Sequence, residues 1–168
     1  MPQAISNDQI RFADQFVLSC GTITIDTTHH KVLLIHSPST NQVLLPKGRK
    51  NIGERLEDAA VRETYEETGY RVKVHPTKTH TLATTSKFSV ESTDKNAEPF
   101  VVSQRITADG TLKIIFWYVA EGDSTAEREL GTQEEDEDFV PLWVGFRKVK
   151  ETLTFDGDVT IVERAIEM

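Results

Sequence analysis

Three glutamates are grouped in a segment that is rich in helix-forming residues. Glu63 lies three residues before Glu66 and four before Glu67, and this spacing places side chains next to one another on one face of an α-helix. Two carboxylates roughly 4 Å apart would repel by about 4 kcal/mol at an effective dielectric constant near 20. A divalent cation removes that repulsion, and ligands that are all oxygens favour Mg²⁺ or Mn²⁺ over Zn²⁺. The alternative is a solvated helix face that carries ordinary charge pairs.

Basic residues surround these carboxylates. Arg62 precedes Glu66 by four residues, which is close enough on a helix to orient a carboxylate through a charge-assisted hydrogen bond. The glycine-containing segment directly before the helix contains Lys47, Arg49 and Lys50. Lysine offers a phosphate group a point charge and arginine offers a bidentate fork, so this segment would suit a phosphorylated substrate. The alternative is that these side chains only keep a loop soluble.

One helix and several strands must position these groups. The segment 55–68 contains neither glycine nor proline and is followed by Gly69, which predicts a helix of about 14 residues that ends at a glycine cap. Runs of β-branched and apolar residues predict strands at 15–25, 31–37, 43–45, 71–74, 77–83, 112–120 and 139–144. Two further helices are predicted at 146–153 and 158–167. Strands before, between and after helices, without a regular β-α-β alternation, indicate a mixed α/β sandwich.

The chain is predicted to form one domain. Its length of 168 residues suits a single core, with a polar lead-in at 1–14 and the domain at 15–168. The segment 84–103 is polar and long for a loop, so we expect a functional lid or a disordered insertion there. A second polar segment, 121–138, contains five consecutive acids at 134–138, and such runs are usually solvated.

The charge balance limits the partners. The chain has 19 lysines and arginines against 27 aspartates and glutamates, a net charge of −8, which argues against DNA, RNA and membrane surfaces because those partners recruit basic residues. No apolar run reaches the roughly 20 residues of a membrane helix. Cys20 is the single cysteine, so no internal disulfide can form. We therefore expect a cytoplasmic protein, with a secreted mature form as the alternative.

The segment 48–70 resembles the Nudix box, Gly-x5-Glu-x7-Arg-Glu-U-x-Glu-Glu-x-Gly-U, in which U is a bulky aliphatic residue. All seven fixed positions are matched at the correct spacing, by Gly48, Glu54, Arg62, Glu63, Glu66, Glu67 and Gly69. Two packing positions differ, since Thr64 and Tyr70 stand where isoleucine, leucine or valine is usual. The resemblance implies an α/β/α sandwich with a mixed β-sheet and a metal-dependent hydrolase of diphosphate compounds.

The resemblance also implies the metal ligands. Glu63 and Glu67 would hold Mg²⁺ or Mn²⁺, and Glu66 would be a further ligand or the general base. Members of the family often use the backbone carbonyl just before the first glycine of the box, which is that of Lys47 here.

Other residues would support the site. By motif position, Arg62 would orient the glutamates and Glu54 would support the loop that leads into the helix. Nudix enzymes often supply one more acid from a loop, and the run at 134–138 is the candidate here. Within that run we prefer Glu134 or Glu135 as the extra ligand or base.

The entrance of the box indicates the substrate. Its Pro46-Lys47-Gly48 sequence resembles that of hydrolases of dinucleoside polyphosphates and diphosphoinositol polyphosphates. We expect the substrate phosphates to be bound by Lys47, Gly48, Arg49 and Lys50, and a phosphoanhydride bond of a diphosphoinositol polyphosphate or a diadenosine polyphosphate to be cleaved. The alternatives are mRNA decapping, a nucleotide-sugar pyrophosphatase, and a non-catalytic module that binds a phosphorylated ligand. The oligomeric state is left open.

Overall fold

The computed structural model describes residues 9–84 and 97–168. The strands are, in chain order, β1 (Phe16–Asp26), β2 (Lys31–Ser37), β3 (Gln42–Leu44), β4 (Lys47–Arg49), β5 (Lys73–Val74), β6 (Val101–Ile106), β7 (Leu112–Glu121) and β8 (Val140–Gly145). The α-helices are α1 (Leu56–Thr68), α2 (Val149–Thr152) and α3 (Asp156–Ile166), and a 3₁₀ turn at Phe146–Lys148 leads into α2.

The strands in the described part of the chain form one mixed sheet. The order β3-β2-β1-β7-β5 runs across it, while β4 pairs with β1, β6 with β7 and β8 with β2. The two longest strands, β1 and β7, are parallel and pair over ten consecutive residue positions. The short strand β4 lies antiparallel to β1, with Gly48 opposite Cys20. The start of the box is therefore held against a central strand of the sheet.

Helices cover both faces of the sheet. On one face, α1 packs Ala59 and Ala60 against Cys20 and Tyr118. The larger core lies on the opposite face, under α2 and α3, and contains Ile23, Ile25, Val32, Leu34, Leu45, Ile115, Trp117, Val119, Val149, Leu153, Val159, Val162 and Ala165. Because side chains alternate between the two faces of a strand, β1 and β7 contribute to both cores. This is the predicted α/β/α sandwich with a mixed sheet.

The helix that carries the carboxylates matches its prediction closely. It begins at Leu56 and ends at Thr68. Gly69 follows in the left-handed conformation at φ 75°, and its N–H donates to the Tyr65 carbonyl at 2.7 Å. The predicted helix at 146–153 is instead a 3₁₀ turn followed by the short α2, and α3 begins two residues earlier than expected. No helix among the described residues has the length and apolarity needed to cross a membrane.

Several sequence-based assignments require correction. The strand expected at 77–83 is not formed, since only Thr77 makes an isolated bridge, and Pro76 interrupts the segment after β5. The polar segment 84–103 is not a loop throughout, because its last three residues belong to β6 and pair with β7. Of the rest of that segment, residues 85–96 lie outside the described residues. The strand β4 was missed because its three residues are polar or glycine, and β6 because it begins inside a segment assigned as a polar loop. In both cases a neighbouring strand, β1 or β7, supplies the pairing edge.

Candidate active site

Arg62 lies beside the grouped carboxylates and bonds to two of them, Glu63 and Glu66, as well as to Glu54. Its Nε and Nη2 donate to the two carboxylate oxygens of Glu54 at 2.7 and 3.0 Å. Its Nη1 donates to Glu63 Oε1 at 2.7 Å and to Glu66 Oε2 at 2.8 Å, and Nη2 also donates to the carbonyl of Arg49 at 2.9 Å. These bonds, above all the one to Glu54, raise the pKa of Arg62 above its ordinary value. One guanidinium therefore joins α1 to the segment that precedes it.

The segment before α1 is shaped by two close contacts. Glu54 Oε2 accepts a hydrogen bond from the Asn51 N–H at 2.8 Å, and the hydrogen bond from Arg62 is the main cause of the lowered pKa of Glu54. At Gly48, an added Cβ would lie 1.8 Å from Glu63 Oε2. The backbone of β4 thus passes directly beside the Glu63 carboxylate, and any side chain there would collide with it.

Two of the grouped carboxylates are buried. Glu63 is 9% exposed and Glu67 is 3% exposed. Glu67 Oε2 accepts a hydrogen bond from the Lys47 N–H at 2.8 Å, yet burial still raises the pKa of Glu67 to about 8. Burial also raises the pKa of Glu63. Since burial penalises the charged form of a carboxylate, a cation beside these groups would stabilise their ionised state.

The donor groups fit a hard divalent cation in their chemistry. One oxygen of each carboxylate, Glu63 Oε2, Glu66 Oε1 and Glu67 Oε1, accepts no hydrogen bond from the part of the chain that the structure describes. Across those same residues, no three carboxylate, imidazole or thiol groups already converge as a metal site does. The available donors are all oxygens, which is what Mg²⁺ or Mn²⁺ requires. Arg62 holds two of the three carboxylates in the arrangement observed.

The acidic loop between β7 and β8 is fastened to the C-terminal end of α1. The Gln133 side-chain amide donates to the carbonyl of Glu67 at 3.0 Å and to that of Phe139 at 2.7 Å, and its oxygen accepts from the Phe139 N–H at 2.9 Å. The Thr132 hydroxyl donates to the Glu66 carbonyl at 2.8 Å. These bonds satisfy carbonyls that the end of a helix leaves without an intrahelical partner. The loop is therefore attached to the backbone of two of the grouped glutamates.

A second attachment involves Glu129. Its N–H donates to the Gly69 carbonyl at 2.8 Å, and its carboxylate accepts from the Tyr65 hydroxyl and, at 2.9 Å, from Arg71 Nε. The Arg71 guanidinium lies 4.8 Å from the centre of the Tyr65 ring. At Gly69 an added Cβ would lie 2.0 Å from the Glu129 carbonyl oxygen, so the glycine allows both the helix cap and the close approach of the loop.

Glu137 is an acid of the loop whose charge acts on the buried carboxylates. Its negative charge adds to burial in raising the pKa values of Glu63 and Glu67, and burial is also the main cause of its own raised pKa. The preference for Glu134 or Glu135, which came from the sequence, stays a prediction. Five consecutive acids look alike in the sequence, and the turn closed by the bond from the Glu137 N–H to the Glu134 carbonyl at 3.1 Å distinguishes them in the fold.

The basic residues fall into two groups. Lys47 and Arg49 lie in β4, opposite Gly21 and Ser19 of β1. Lys50 follows the strand, and its ammonium group donates to the carbonyl of Asn51 at 2.8 Å.

Two further cations near the site, Lys113 in β7 and Arg105 in β6, were not singled out in the sequence. They lie opposite each other in the sheet, and the charges of Lys47, Arg49 and Arg105 all act on Lys113. The one sequence signal for them was a lysine at the start of an otherwise apolar strand.

The two departures from the aliphatic positions of the motif have packing partners. The Thr64 hydroxyl bonds to that of Thr22 at 2.8 Å and donates to the Ala60 carbonyl at 2.8 Å, all within the core under α1. The Tyr70 ring packs edge-on against Trp143, with the ring centres 5.5 Å apart and the planes at 81°. The threonine is accommodated because a second hydroxyl faces it, and the tyrosine because an indole covers it.

Comparison with known proteins agrees with this fold and site. A family model described as the NUDIX domain matches residues 16–164. The chain is similar to a NUDIX hydrolase from Nitrosomonas europaea, at 14% identity and a TM-score of 0.61, over 89% of this chain and 88% of that one. A hydrolase of the NUDIX family from Clostridium perfringens gives 18% identity and a TM-score of 0.64, over 89% and 95% of the two chains.

A Caenorhabditis elegans Ap4A hydrolase, solved as a binary complex, has a similar fold. Its TM-score is 0.62 at 16% identity, over 89% of this chain and 94% of that one. The protein belongs to the Nudix family, and it is a Nudix hydrolase. Enzymes of this family generally use divalent metal ions and act on phosphorylated small molecules.

Proposed function

We propose that this Nudix hydrolase cleaves a phosphoanhydride bond in a highly phosphorylated small molecule, a diphosphoinositol polyphosphate or a diadenosine polyphosphate. The observation that carries the proposal is the network through which Arg62 holds Glu54, Glu63 and Glu66 directly beside the basic strand β4. The carboxylates suit metal-assisted attack on phosphorus, and the adjacent cations suit phosphates that do not react. The fold similarity to an Ap4A hydrolase supports the diadenosine compound as one of the two.

We propose Glu63, Glu67 and the Lys47 carbonyl as ligands of Mg²⁺ or Mn²⁺, with Glu66 as a further ligand or the general base. Such an ion, when bound, neutralises charge on phosphate oxygens and makes water more acidic. The Glu66 side chain is 31% exposed, against 11% for Glu63, so it is the carboxylate of this pair that solvent reaches more easily. As base, Glu66 accepts a proton while the water oxygen bonds to phosphorus and the bridging P–O bond breaks.

Positioning residues complete the proposed site. Arg62 orients Glu63 and Glu66, and Glu54 anchors Arg62 to the loop before α1. Gly48 lets the β4 backbone approach the Glu63 carboxylate. Glu137 is proposed as an additional ligand or base, since its charge acts on the buried glutamates.

We further propose that residues 15–168 act as one catalytic domain, which the family match at 16–164 supports. The substrate is a phosphorylated small molecule. The net charge of −8 disfavours DNA and RNA, because a nucleic-acid backbone recruits a basic surface. The compartment we propose is the cytoplasm.

The test is a substrate panel with the products identified by mass spectrometry. A diphosphoinositol polyphosphate, diadenosine tetraphosphate, ADP-ribose, a nucleotide sugar and capped RNA are each incubated with Mg²⁺ or Mn²⁺ and with EDTA. We expect phosphoanhydride cleavage of one of the first two compounds, absent in EDTA. The variant Glu66→Gln should lose at least about 100-fold in kcat, as expected for a general base, while its circular dichroism stays unchanged.

Other results of the panel are equally informative. Cleavage confined to capped RNA or to nucleotide sugars would replace the substrate assignment with one of those activities. Binding of phosphorylated compounds without turnover of any would indicate a non-catalytic module. The exposed Glu151→Gln variant is the charge-matched control, because Glu151 lies in α2 outside the box, and it should retain full activity.

A further inference from the structure

Four cationic side chains lie on one face of the sheet, the face turned away from α1. Side chains of directly opposed residues in neighbouring strands lie on the same face. Arg105 of β6 is opposite Lys113 of β7, and Trp117, four residues further along β7, belongs to the core under α2 and α3. The Trp117 indole N–H donates to the Ser103 hydroxyl of β6 at 2.9 Å, which confirms that these alternate positions of β6 and β7 share that face.

The two cations of β4 join the same face. Lys47 is opposite Gly21 of β1, and a Cβ added at Gly21 would lie 2.7 Å from the Lys47 Cβ and 2.7 Å from the Trp117 ring. The Lys47 side chain therefore starts beside Trp117 on the face away from α1. Arg49 is two residues further along the strand and so has the same orientation. We call Lys47, Arg49, Arg105 and Lys113 the basic face.

The charge of the basic face is poorly compensated by the protein. Within residues 9–84 and 97–168, no carboxylate oxygen lies within 4.0 Å of the cationic groups of these four side chains. Burial, followed by the positive charges of Lys47, Arg105 and Arg49, lowers the pKa of Lys113 to about 8. A half-buried ammonium group among three cations is unfavourable unless an anion accompanies it.

Two carboxylates do act on the basic face from a greater distance. Glu67 favours the charged form of Lys113. Asp158, in the first turn of α3, accepts a hydrogen bond from the Leu45 N–H, and the charges of Lys47 and Arg105 act on it. Neither carboxylate lies within 4.0 Å of these cations, so the basic face has no ion pair within the described residues, and Glu67 is also a candidate metal ligand. The excess of positive charge on this face suits a ligand with several negative charges.

The basic face is continuous with the candidate catalytic carboxylates. The Lys47 N–H bonds to Glu67 Oε2 at 2.8 Å, and the Arg49 carbonyl accepts from Arg62. The charge of Glu67 also acts on Lys113. A molecule whose reacting diphosphate lies at the glutamates would therefore extend its remaining groups past β4 and, across β1, to β7 and β6. Phosphate groups there would be bound by lysine through a point charge and by arginine through two parallel hydrogen bonds.

We propose that Lys113 and Arg105, together with Lys47 and Arg49, form a subsite for the non-reacting phosphates of the substrate and so select molecules that carry several phosphates. This inference rests on the proposed function for the position of the reacting diphosphate. It goes beyond that function because it assigns selectivity to two residues in strands outside the box. The subsite recognises phosphate density, and it requires no nucleobase.

The experiment separates binding from turnover. Inositol hexakisphosphate is the probe, because it carries many phosphates and no phosphoanhydride bond. Its affinity is measured by isothermal titration calorimetry, without metal and at constant salt, for the wild type, Lys113→Gln and Arg105→Gln. We expect micromolar binding to the wild type and a loss of about 10-fold in each variant, as for the removal of one charge-assisted contact.

The matched control is Lys73→Gln, which makes the same change of charge. Lys73 is opposite Glu121 at the other end of β7, about 26 Å from Lys113 at roughly 3.3 Å per residue. It should bind the probe as the wild type does. Equal losses in Lys73→Gln and Lys113→Gln would show that only net charge matters, and the proposed subsite would be refuted.

Kinetics and stability give two further readouts. On the polyphosphorylated substrate that is turned over, Lys113→Gln should raise KM about 10-fold with little change in kcat. Without ligand, Lys113→Gln should have a melting temperature at or above that of the wild type, because it removes a half-buried cation among cations. A melting temperature of Lys113→Gln well below that of the wild type would contradict the statement that the charge of Lys113 is uncompensated. The affinity of Arg105→Gln for inositol hexakisphosphate would then decide whether the subsite exists.

The outcomes distinguish this inference from the proposed function. Turnover that does not depend on Lys113 or Arg105 would refute the subsite and leave the hydrolase activity in place. Binding of the probe that depends on both residues, without turnover of any diphosphate, would refute the proposed substrates and retain the subsite. Failure of the wild type to bind inositol hexakisphosphate would refute the subsite directly.

Discussion

At the residue scale, Arg62 explains why the fixed positions of the box belong together. Its five hydrogen bonds reach Glu54, Glu63, Glu66 and the Arg49 carbonyl. Glu54 and Arg49 precede the helix, whereas the other two partners lie on it. The planar guanidinium donates hydrogen bonds to several partners at fixed angles, whereas the ammonium group of lysine has no such fixed fork. The residue therefore sets the relative positions of the carboxylates as well as their charge balance.

The first prediction follows from this geometry. Replacing Arg62 by lysine keeps the positive charge but removes the fork, so the carboxylates should lose their alignment. We expect kcat/KM to fall by about 10- to 100-fold, the usual effect of losing a residue that orients metal ligands. The measurement is steady-state hydrolysis of the substrate identified in the panel, together with the Mn²⁺ concentration that gives half-maximal rate, which should increase.

The control for Arg62→Lys is Arg55→Lys. Arg55 is an exposed residue next to the same helix and pairs only with Glu57 among the described residues. The Arg55→Lys variant should leave kcat/KM and the Mn²⁺ concentration for half-maximal rate unchanged. Wild-type activity in Arg62→Lys would show that charge alone, without the fork, suffices.

At the scale of elements, the loop between β7 and β8 acts together with α1. Gln133 bridges the Glu67 carbonyl and both backbone groups of Phe139, which closes the segment 133–139 into a compact turn. Glu137 lies within that turn, and its charge reaches Glu63 and Glu67. The position of this acid therefore depends on the Gln133 amide together with the bonds between Glu134 and Glu137.

The second prediction concerns this dependence. Glu137→Gln should lower kcat by about 10- to 100-fold if the acid is a base or ligand, and Gln133→Ala should cause a smaller loss because it only loosens the turn. In the double variant the two losses should not add, because both act on the same group. The measurement is kcat for the four proteins of this cycle.

Glu135→Gln is the control for the loop, since it removes the same charge from a neighbouring position. It should retain wild-type kcat. Full additivity of Glu137→Gln and Gln133→Ala, or an equal loss in Glu135→Gln, would contradict the proposed role of Gln133.

At the scale of the whole molecule, Asp26 joins three parts of the fold. Its carboxylate at the end of β1 accepts from the N–H and the ring Nδ1 of His29, each at 2.9 Å, and from the Ser124 N–H at 2.8 Å. These bonds connect β1, the turn before β2 and the segment after β7. Burial opposes ionisation of Asp26, but the hydrogen bonds from Ser124 and His29 outweigh it and hold its pKa well below the ordinary value.

The third prediction is a pH dependence of stability. A carboxyl whose pKa is lower in the folded state stabilises the fold above its unfolded pKa, ordinarily 3.8, and loses this effect progressively as the pH falls. In Asp26→Asn the side chain keeps only one of the two oxygens that accept these hydrogen bonds. We therefore expect the variant to reduce the free energy of unfolding by about 1–3 kcal/mol at pH 7. The difference from wild type should diminish below about pH 4.

Urea denaturation at several pH values measures this difference. Asp14→Asn is the control, because Asp14 lies in the exposed segment before β1. A difference between Asp26→Asn and wild type that stays constant from pH 7 to pH 3 would show that the carboxylate charge is not what stabilises the junction.

Local patterns in the sequence were sufficient for part of this molecule. The bounds of α1 and its cap at Gly69 could be predicted because helix propensity and capping depend on residues close together in the chain. The contact of Arg62 with Glu66 follows from their four-residue spacing on that helix, and the hydrogen bond between them measures 2.8 Å. The layered fold followed from the resemblance of the box and from the long apolar strands β1, β2 and β7.

Only the tertiary structure decided the rest. It added β6 and β4 to the sheet, because a segment without a clear strand pattern still forms a strand when a neighbouring edge pairs with it. It placed Glu137 where its charge acts on Glu63 and Glu67, because the turn and the Gln133 bridge depend on contacts with α1. It also brought Lys113 and Arg105 to Lys47, residues more than 50 positions away in the chain. Local spacing in the sequence thus determined the group of carboxylates around Arg62. Sheet pairing determined which cations from distant parts of the chain lie near that group.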